Sequence, residues 1–316
     1  MKKLRTAVIG VGNMGRHHAR IYSEITNLVG VSDLDEKQGK ALAKERKTIF
    51  YKNYQELLEK NEIDCISIAV PTSEHAQIAI DCLNRKIPTL VEKPLANNVQ
   101  EANKIIATSK KNKTLLMVGH IERYNPAVTK LKEMVDSGDI GEILSMLAVR
   151  VGISPPVQKK SDVVSDLAIH DIDVFNYLLN ETPKKTRIVK QQLKKDNISD
   201  AASILLEYKN AIGMIQTNWI TPIKIRKLYI TGSKQYVELD YIAQQITSNS
   251  RSLGERHKSG FFEFLTTYEP IEENVQVIKK EPLKEELKVF LKLVKSGESI
   301  DSTYALNAVK IVTEQP

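Results

Sequence analysis

Val8-Ile9-Gly10-Val11-Gly12-Asn13-Met14-Gly15 places a G-x-G-x-x-G string directly after a short apolar run and directly before a helical pattern. Gly10 permits a tight turn, Gly12 lets backbone approach a pyrophosphate, and Gly15 allows close packing of helix on strand. The helix N-terminus, with Asn13 and Met14 in the turn, then offers free amides to an anion. Asp33 ends the next apolar run. Its carboxylate is placed to accept hydrogen bonds from an adenosine ribose and to repel a 2′-phosphate, which favours NAD over NADP, and no arginine directly follows it. The plain alternative is a tight turn that binds nothing. Strand, spacing, helix and acid together favour the dinucleotide.

Working outward, apolar runs at 6–9, 28–32, 65–70, 89–92 and 115–118 alternate with helical patterns at 15–23, 36–46, 54–60, 74–84 and 100–111. Such alternation builds a parallel sheet with helices on its faces. The expected fold class is therefore α/β: a doubly wound Rossmann domain over 1–119, followed by an α+β domain over 120–316. After a helix at 126–137 the pattern changes to longer period-two strands at 143–151, 188–194, 201–208 and 212–219, with more at 227–231 and 235–239. These predict an open, mainly antiparallel sheet. Closing helices are expected at 284–294 and 304–313. The chain stops at Pro316, so any further C-terminal element of relatives is expected to be missing.

The 316 residues carry 46 Lys and Arg against 39 Asp and Glu, a net charge of +7. The short runs Lys159-Lys160, Lys184-Lys185 and Lys194-Lys195 sit in apparent turns, which suits a solvated surface better than a nucleic-acid patch. A mildly positive protein also suits an anionic small substrate. Cys65 and Cys82 fall in apolar or helical patterns and read as core thiols, not a bridge or metal pair. A reducing cytoplasm and no metal are expected. No segment offers about eighteen continuous apolar residues, so neither export nor a membrane partner is expected.

Two places could carry chemistry. Val91-Glu92-Lys93-Pro94 closes the fifth strand, and the carboxyl ends of parallel strands are where open α/β sheets bind ligands. A lysine there can hydrogen-bond a substrate hydroxyl and stabilise negative charge on its oxygen. By sequence alone a surface lysine before a turn is the commoner case. Within 161–179, Asp166, His170, Asp173 and Tyr177 form one polar stripe opposite Ala168, Ile172, Phe175 and Leu179. Usually such a stripe is merely solvated. Alternatively, His170 exchanges a hydroxyl proton while Asp166, one turn earlier, orients its imidazole.

Taken in order, these residues resemble the Gfo/Idh/MocA oxidoreductase family over nearly the whole chain. The likeness rests on Gly10-Val11-Gly12-Asn13-Met14-Gly15, Val70-Pro71-Thr72 with His75, Glu92-Lys93-Pro94, Arg123-Tyr124-Asn125-Pro126 and Asp166-x-x-x-His170. The resemblance implies Lys93 and His170 as catalytic pair with Asp166 in support. It also implies that Pro71, Thr72, His75 and Glu92 line the nicotinamide-ribose side. In such enzymes the C-terminal sheet supplies substrate contacts on one face and subunit contacts on the other, so a homodimer or homotetramer is implied.

Within the family, 119–126 and Asn218-Trp219-Ile220-Thr221-Pro222 with Lys224 and Arg226 are similar to strings of UDP-N-acetylglucosamine 3-dehydrogenases. Trp219 could stack on a sugar or base, and Arg123, Lys224 or Arg226 could pair with a diphosphate, with Tyr124 and Asn125 beside them. Half-buried strand packing explains Trp219 equally well, and Lys224 and Arg226 could simply be solvated. The implied activity is NAD-dependent oxidation of a sugar hydroxyl, at C3 of a UDP-linked N-acetyl amino sugar. The alternatives are a dehydrogenase of a free sugar or inositol, and a non-catalytic regulator that senses NAD and a sugar.

Overall fold

The computed structural model describes residues 3–153, 162–192, 198–250 and 271–313. The lysine pairs at 159–160 and 194–195, Ser161 and the end of the strand expected at 188–194 lie outside the described residues. The chain forms two compact units.

The first unit is built on six parallel strands: β1 (Arg5–Ile9), β2 (Asn27–Ser32), β3 (Ile49–Tyr51), β4 (Cys65–Ile68), β5 (Thr89–Glu92) and β6 (Leu116–Gly119). Their order is β3-β2-β1-β4-β5-β6, the doubly wound arrangement expected from the alternation. Between them run α1 (Gly15–Ile25), α2 (Glu36–Arg46), α3 (Tyr54–Lys60), α4 (Thr72–Asn84) and α5 (Val99–Asn112). Every residue of β4, β5 and β6 is buried, which is why these segments read as apolar runs without alternation. Strand order reverses between β1 and β4, so the ligand crevice of this topology opens at their carboxyl ends, beside the glycine turn.

The compact units do not follow a single cut at 119/120. The first unit runs through Tyr124, including a 3₁₀ turn (Ile121–Tyr124), and resumes at Glu281 with α8 (Pro282–Ser296) and α9 (Thr303–Thr313). The cause is apolar burial. Leu283, Leu287, Phe290 and Leu291 of α8 join Val8, Val11, Ile21 and Tyr22 in one core cluster. Ala305 and Val309 of α9 join Ile66, Ile68, Leu116 and Val118 in another. The Tyr304 hydroxyl accepts from the Val118 amide at 3.0 Å and donates to its carbonyl at 3.1 Å, fixing α9 on β6.

The second unit, Asn125–Lys280, contains α6 (Pro126–Asp136), a π-helical turn (Val164–Ala168), α7 (Ile169–Leu179) and one eight-stranded sheet. Its strands are β7 (Ile143–Val151), β8 (Lys185–Gln191), β9 (Ala201–Glu207), β10 (Ile212–Asn218), β11 (Ile225–Gly232), β12 (Gln235–Asp240), β13 (Gln245–Ser250) and β14 (Ile271–Val275). Neighbours are antiparallel except β7 and β10, so the expectation of a mainly antiparallel sheet holds. On the face that carries α7, Phe175 presses against Gly213, where an added Cβ would stand 2.7 Å from the ring. No helix among the described residues is long and apolar enough to cross a membrane.

Candidate active site

The three glycines of the turn have separable duties. Gly10 has φ +83°, and a Cβ on it would lie 2.7 Å from the backbone of Ala69 and Val70. On Gly15 a Cβ would lie 1.8 Å from the Gly10 carbonyl oxygen. Both are needed for close packing. Gly12 differs, because nothing stands within 4 Å of its would-be Cβ. That open space adjoins the start of α1, where Met14 occupies the N-cap without a capping side chain; the Arg16 and His17 amides donate to the Gly12 and Met14 carbonyls at 3.2 and 2.9 Å, and the Gly15 amide retains capacity for an anion. Asn13 beside it is exposed. These residues fit a dinucleotide pyrophosphate.

Asp33 is fixed as well as placed. Its Oδ2 accepts from the Val11 amide at 2.7 Å and its Oδ1 from the Asp35 amide at 2.8 Å, and each oxygen keeps a lone pair for a ribose hydroxyl. Gln38, unmarked in the sequence reading, donates to the Val11 carbonyl at 2.9 Å, so the peptide inside the turn is gripped from both sides.

At the carboxyl end of β5, Glu92 is buried and Lys93 half-buried, with a cis bond between Lys93 and Pro94. His18 of α1, fully buried, donates from Nε2 to Glu92 Oε1 at 3.0 Å, and the Lys93 amide donates to Glu92 Oε2 at 3.2 Å. Burial pushes the Glu92 carboxyl up, but the hydrogen bond from His18, with Lys93 alongside, holds it below the usual carboxylate value. Pro71 and Thr72 open α4 toward this end of the sheet. His75 is 1% exposed, with Nδ1 2.9 Å from the Pro94 carbonyl and Nε2 3.0 Å from the Val70 carbonyl. Its ring is thereby held between the two loops.

In the second unit Asp166 sits in the π-helical turn and His170 in the first turn of α7. π turns inside helices recur at functional sites. The polar stripe is only partly solvated: Asp173 is 1% exposed, while Asp166, His170 and Tyr177 are half-buried. Asp171, next to His170, is 0% exposed and bound at both oxygens by Arg150 of β7, whose guanidinium lies 4.8 Å over the Tyr241 ring. Asp162 accepts from the Ser165 amide at 2.9 Å and from Lys190 at 2.6 Å, anchoring the start of the π turn. The stripe in the sequence hides Arg150 and Asp162, because their partners are brought in by the sheet.

Trp219, Lys224 and Arg226 do converge. With Gly152, Ile153, Leu167 and Pro222 they line a cavity of about 430 Å³, and Leu167 belongs to the same turn as Asp166. Asn218 shapes its rim by accepting from the amides of Ile220 at 3.0 Å and Thr221 at 2.9 Å. Arg226 also donates to the Ile225 carbonyl at 2.8 Å. The 119–126 string is divided: Arg123 lies 4.0 Å over the Tyr304 ring in the first unit, and Tyr124 packs partly against the α8 core. Asn125 is 2% exposed, accepts from the Ala127 amide at 3.1 Å as N-cap of α6, and donates to the Tyr241 carbonyl at 3.0 Å. Its amide thus ties the start of α6 to the Tyr241 carbonyl.

Comparisons with known proteins agree with this construction. Residues 4–120 match the oxidoreductase family with NAD-binding Rossmann fold, and residues 128–238 match the GFO/IDH/MocA C-terminal domain. The chain belongs to the Gfo/Idh/MocA family, and it is an NAD-dependent oxidoreductase acting on CH–OH groups. It is 28% identical over 254 residues to a UDP-N-acetylglucosamine 3-dehydrogenase of Acidithiobacillus ferrooxidans, covering 80% of this chain and 79% of that one. It is 27% identical over 310 residues to a myo-inositol 2-dehydrogenase of Thermotoga maritima, covering 93% and 89%. A solved structure of the former enzyme has a TM-score of 0.86 at 25% identity, covering 99% of this chain and 96% of that one.

Proposed function

We propose that the protein oxidises a hydroxyl of a nucleotide-linked sugar, at C3 of a UDP-linked N-acetyl amino sugar such as UDP-N-acetylglucosamine. The observation that carries this is the cavity shared by Trp219, Lys224 and Arg226, since two cations beside the part of Trp219 left exposed, 6% of the residue, suit a base or sugar joined to a diphosphate. Bound NAD supplies the hydride acceptor. Gly12 and the Gly15 amide hold the pyrophosphate, and Asp33 holds the adenosine ribose.

His170 takes the substrate hydroxyl proton, with Asp166 orienting its ring, while Lys93 steadies the oxygen as it becomes a carbonyl. Incubating the protein and NAD with UDP-sugars and free polyols, and following NADH absorbance, tests the assignment. Turnover of UDP-N-acetylglucosamine supports it; turnover of inositol alone refutes it.

The second reading is an inositol or free-sugar dehydrogenase. It is favoured by the inositol enzyme's likeness over 93% of the chain and by the diversion of Arg226 to a backbone carbonyl.

We also propose a homo-oligomer formed through the open sheet. Leu205, Met214, Leu147 and Tyr229 stand side by side on adjacent strands, and Met214 and Leu147 are 41% and 37% exposed. An apolar row of this kind calls for cover. The two free, buried cysteines suit a reducing, cytoplasmic setting, with burial pushing both thiols up to about 12.

A further inference from the structure

We propose that His18 is a positioning residue for the reaction: its buried imidazole fixes the Glu92 carboxylate and, through it, the Lys93 backbone from which the catalytic side chain projects. The inference rests on the reading that Lys93 works on the substrate hydroxyl.

Three observations carry it. His18 is 0% exposed and its Nδ1 has no hydrogen-bond partner, while Nε2 stands 3.0 Å from Glu92 Oε1. A buried N–H without an acceptor costs more than a bare ring lone pair, so the proton belongs on Nε2 and is donated to Glu92. Glu92 in turn receives the Lys93 amide on its other oxygen. Finally, β6 leaves room for the carboxylate to turn this way: Gly119 pairs with Glu92, and a Cβ on Gly119 would lie 3.2 Å from Glu92 Cδ.

The consequence is a link between two ends of the crevice. The helix whose N-terminus receives the pyrophosphate also carries, one turn further on, the donor that fixes the end of β5. Around the pair stand His17 and Tyr22 on α1, Lys93 and His75 beside Glu92, and Glu286 and Cys65 near Tyr22. Among the described residues His18 is the donor that reaches the Glu92 side chain from another element.

The test compares H18L, which removes the donor, with H18Q, whose amide reaches as far as Nε2, using the panel compound that reduces NAD fastest. H18L should lower kcat about 10-fold or more, the worth of a hydrogen bond to a charged group. The acid limb of its kcat/KM profile should move to higher pH, since burial of Glu92 is then opposed by Lys93 alone, while its KM for NAD changes little. H18Q should restore both kcat and the limb.

A folded H18L with wild-type kcat and pH profile overturns the proposal. If H18L does not fold, H18Q is compared with the shorter H18N, and identical profiles for those two overturn it. K93M separates the two claims. Activity in K93M, or no turnover on any compound, removes the reading of Lys93 and this inference together. An inactive K93M beside a wild-type-like H18L removes only the role of His18.

Discussion

Arg150 and Asp171 form a two-point ion pair inside the second unit, Nε to Oδ2 at 2.6 Å and Nη2 to Oδ1 at 3.1 Å, at the residue next to His170. Both partners are buried, at 4% and 0% exposure. Removing one partner of such a pair strands a buried charge, at a cost of about 3–5 kcal/mol, whereas replacing both by apolar groups is often neutral. Urea unfolding should therefore show R150M and D171L each strongly destabilised and the double variant largely recovered. Additive losses in the double variant would contradict the pairing.

The glycine turn predicts a split between binding and folding. Gly12→Val projects into open space, so NAD affinity should fall at least about 10-fold as the pyrophosphate is crowded out, with Tm nearly unchanged. Gly15→Ala puts a methyl on the Gly10 carbonyl and should lower Tm sharply even without NAD. Titration calorimetry and thermal melts read the two effects separately.

K93M and H170A should each reduce turnover by about 10²–10⁴-fold, the usual range for a lost proton-transfer group, while NAD still binds with near wild-type affinity. Wild-type rates in either variant would remove that residue from the mechanism.

His75 gives a pH dependence with a defined sign. Burial lowers its pKa below 6.5, against support from the Pro94 and Val70 carbonyls, so the native state favours the neutral ring. A native pKa below the unfolded one means the stabilisation is full above about 6.5 and is lost as pH falls through the native value. Unfolding free energy should therefore drop between pH 7 and pH 5, and H75Q should flatten that slope. An unchanged slope in H75Q would place the acid sensitivity elsewhere.

Charging the exposed sheet row tests the assembly. L147E with M214E should leave the monomer folded by circular dichroism and shift the mass seen by light scattering to that of one chain. A monomeric wild type would end the proposal.

Much of the nucleotide unit could be read from residues alone because its strands are buried on both faces and its turn needs glycine at fixed positions. Three strands escaped notice for physical reasons. β3 has three residues at a sheet edge, too few to display a period, and β13 and β14 are polar strands at the far edge of the second sheet. Lys93 and His170 stand out by local position and spacing, which survive in a linear string, and the Trp219 group by its likeness to a family string. His18 with Glu92 and Arg150 with Asp171 were not, since a partner 74 or 21 residues away leaves no periodic trace. The burial of Asn125 and His75 could not be read from the residues, since polar type alone does not reveal it.

The return of α8 and α9 to the first unit bears on how the polypeptide is made. Its opening residues lay down the turn for NAD, yet the layer that seals Val8, Ile21 and Tyr22 from water, Leu287 and Phe290 among it, leaves the ribosome only after the whole second unit has emerged. Any chain cut short before residue 282 keeps the complete glycine signature and still lacks its roof. Completion of the nucleotide unit thus reports that synthesis has passed the whole second unit.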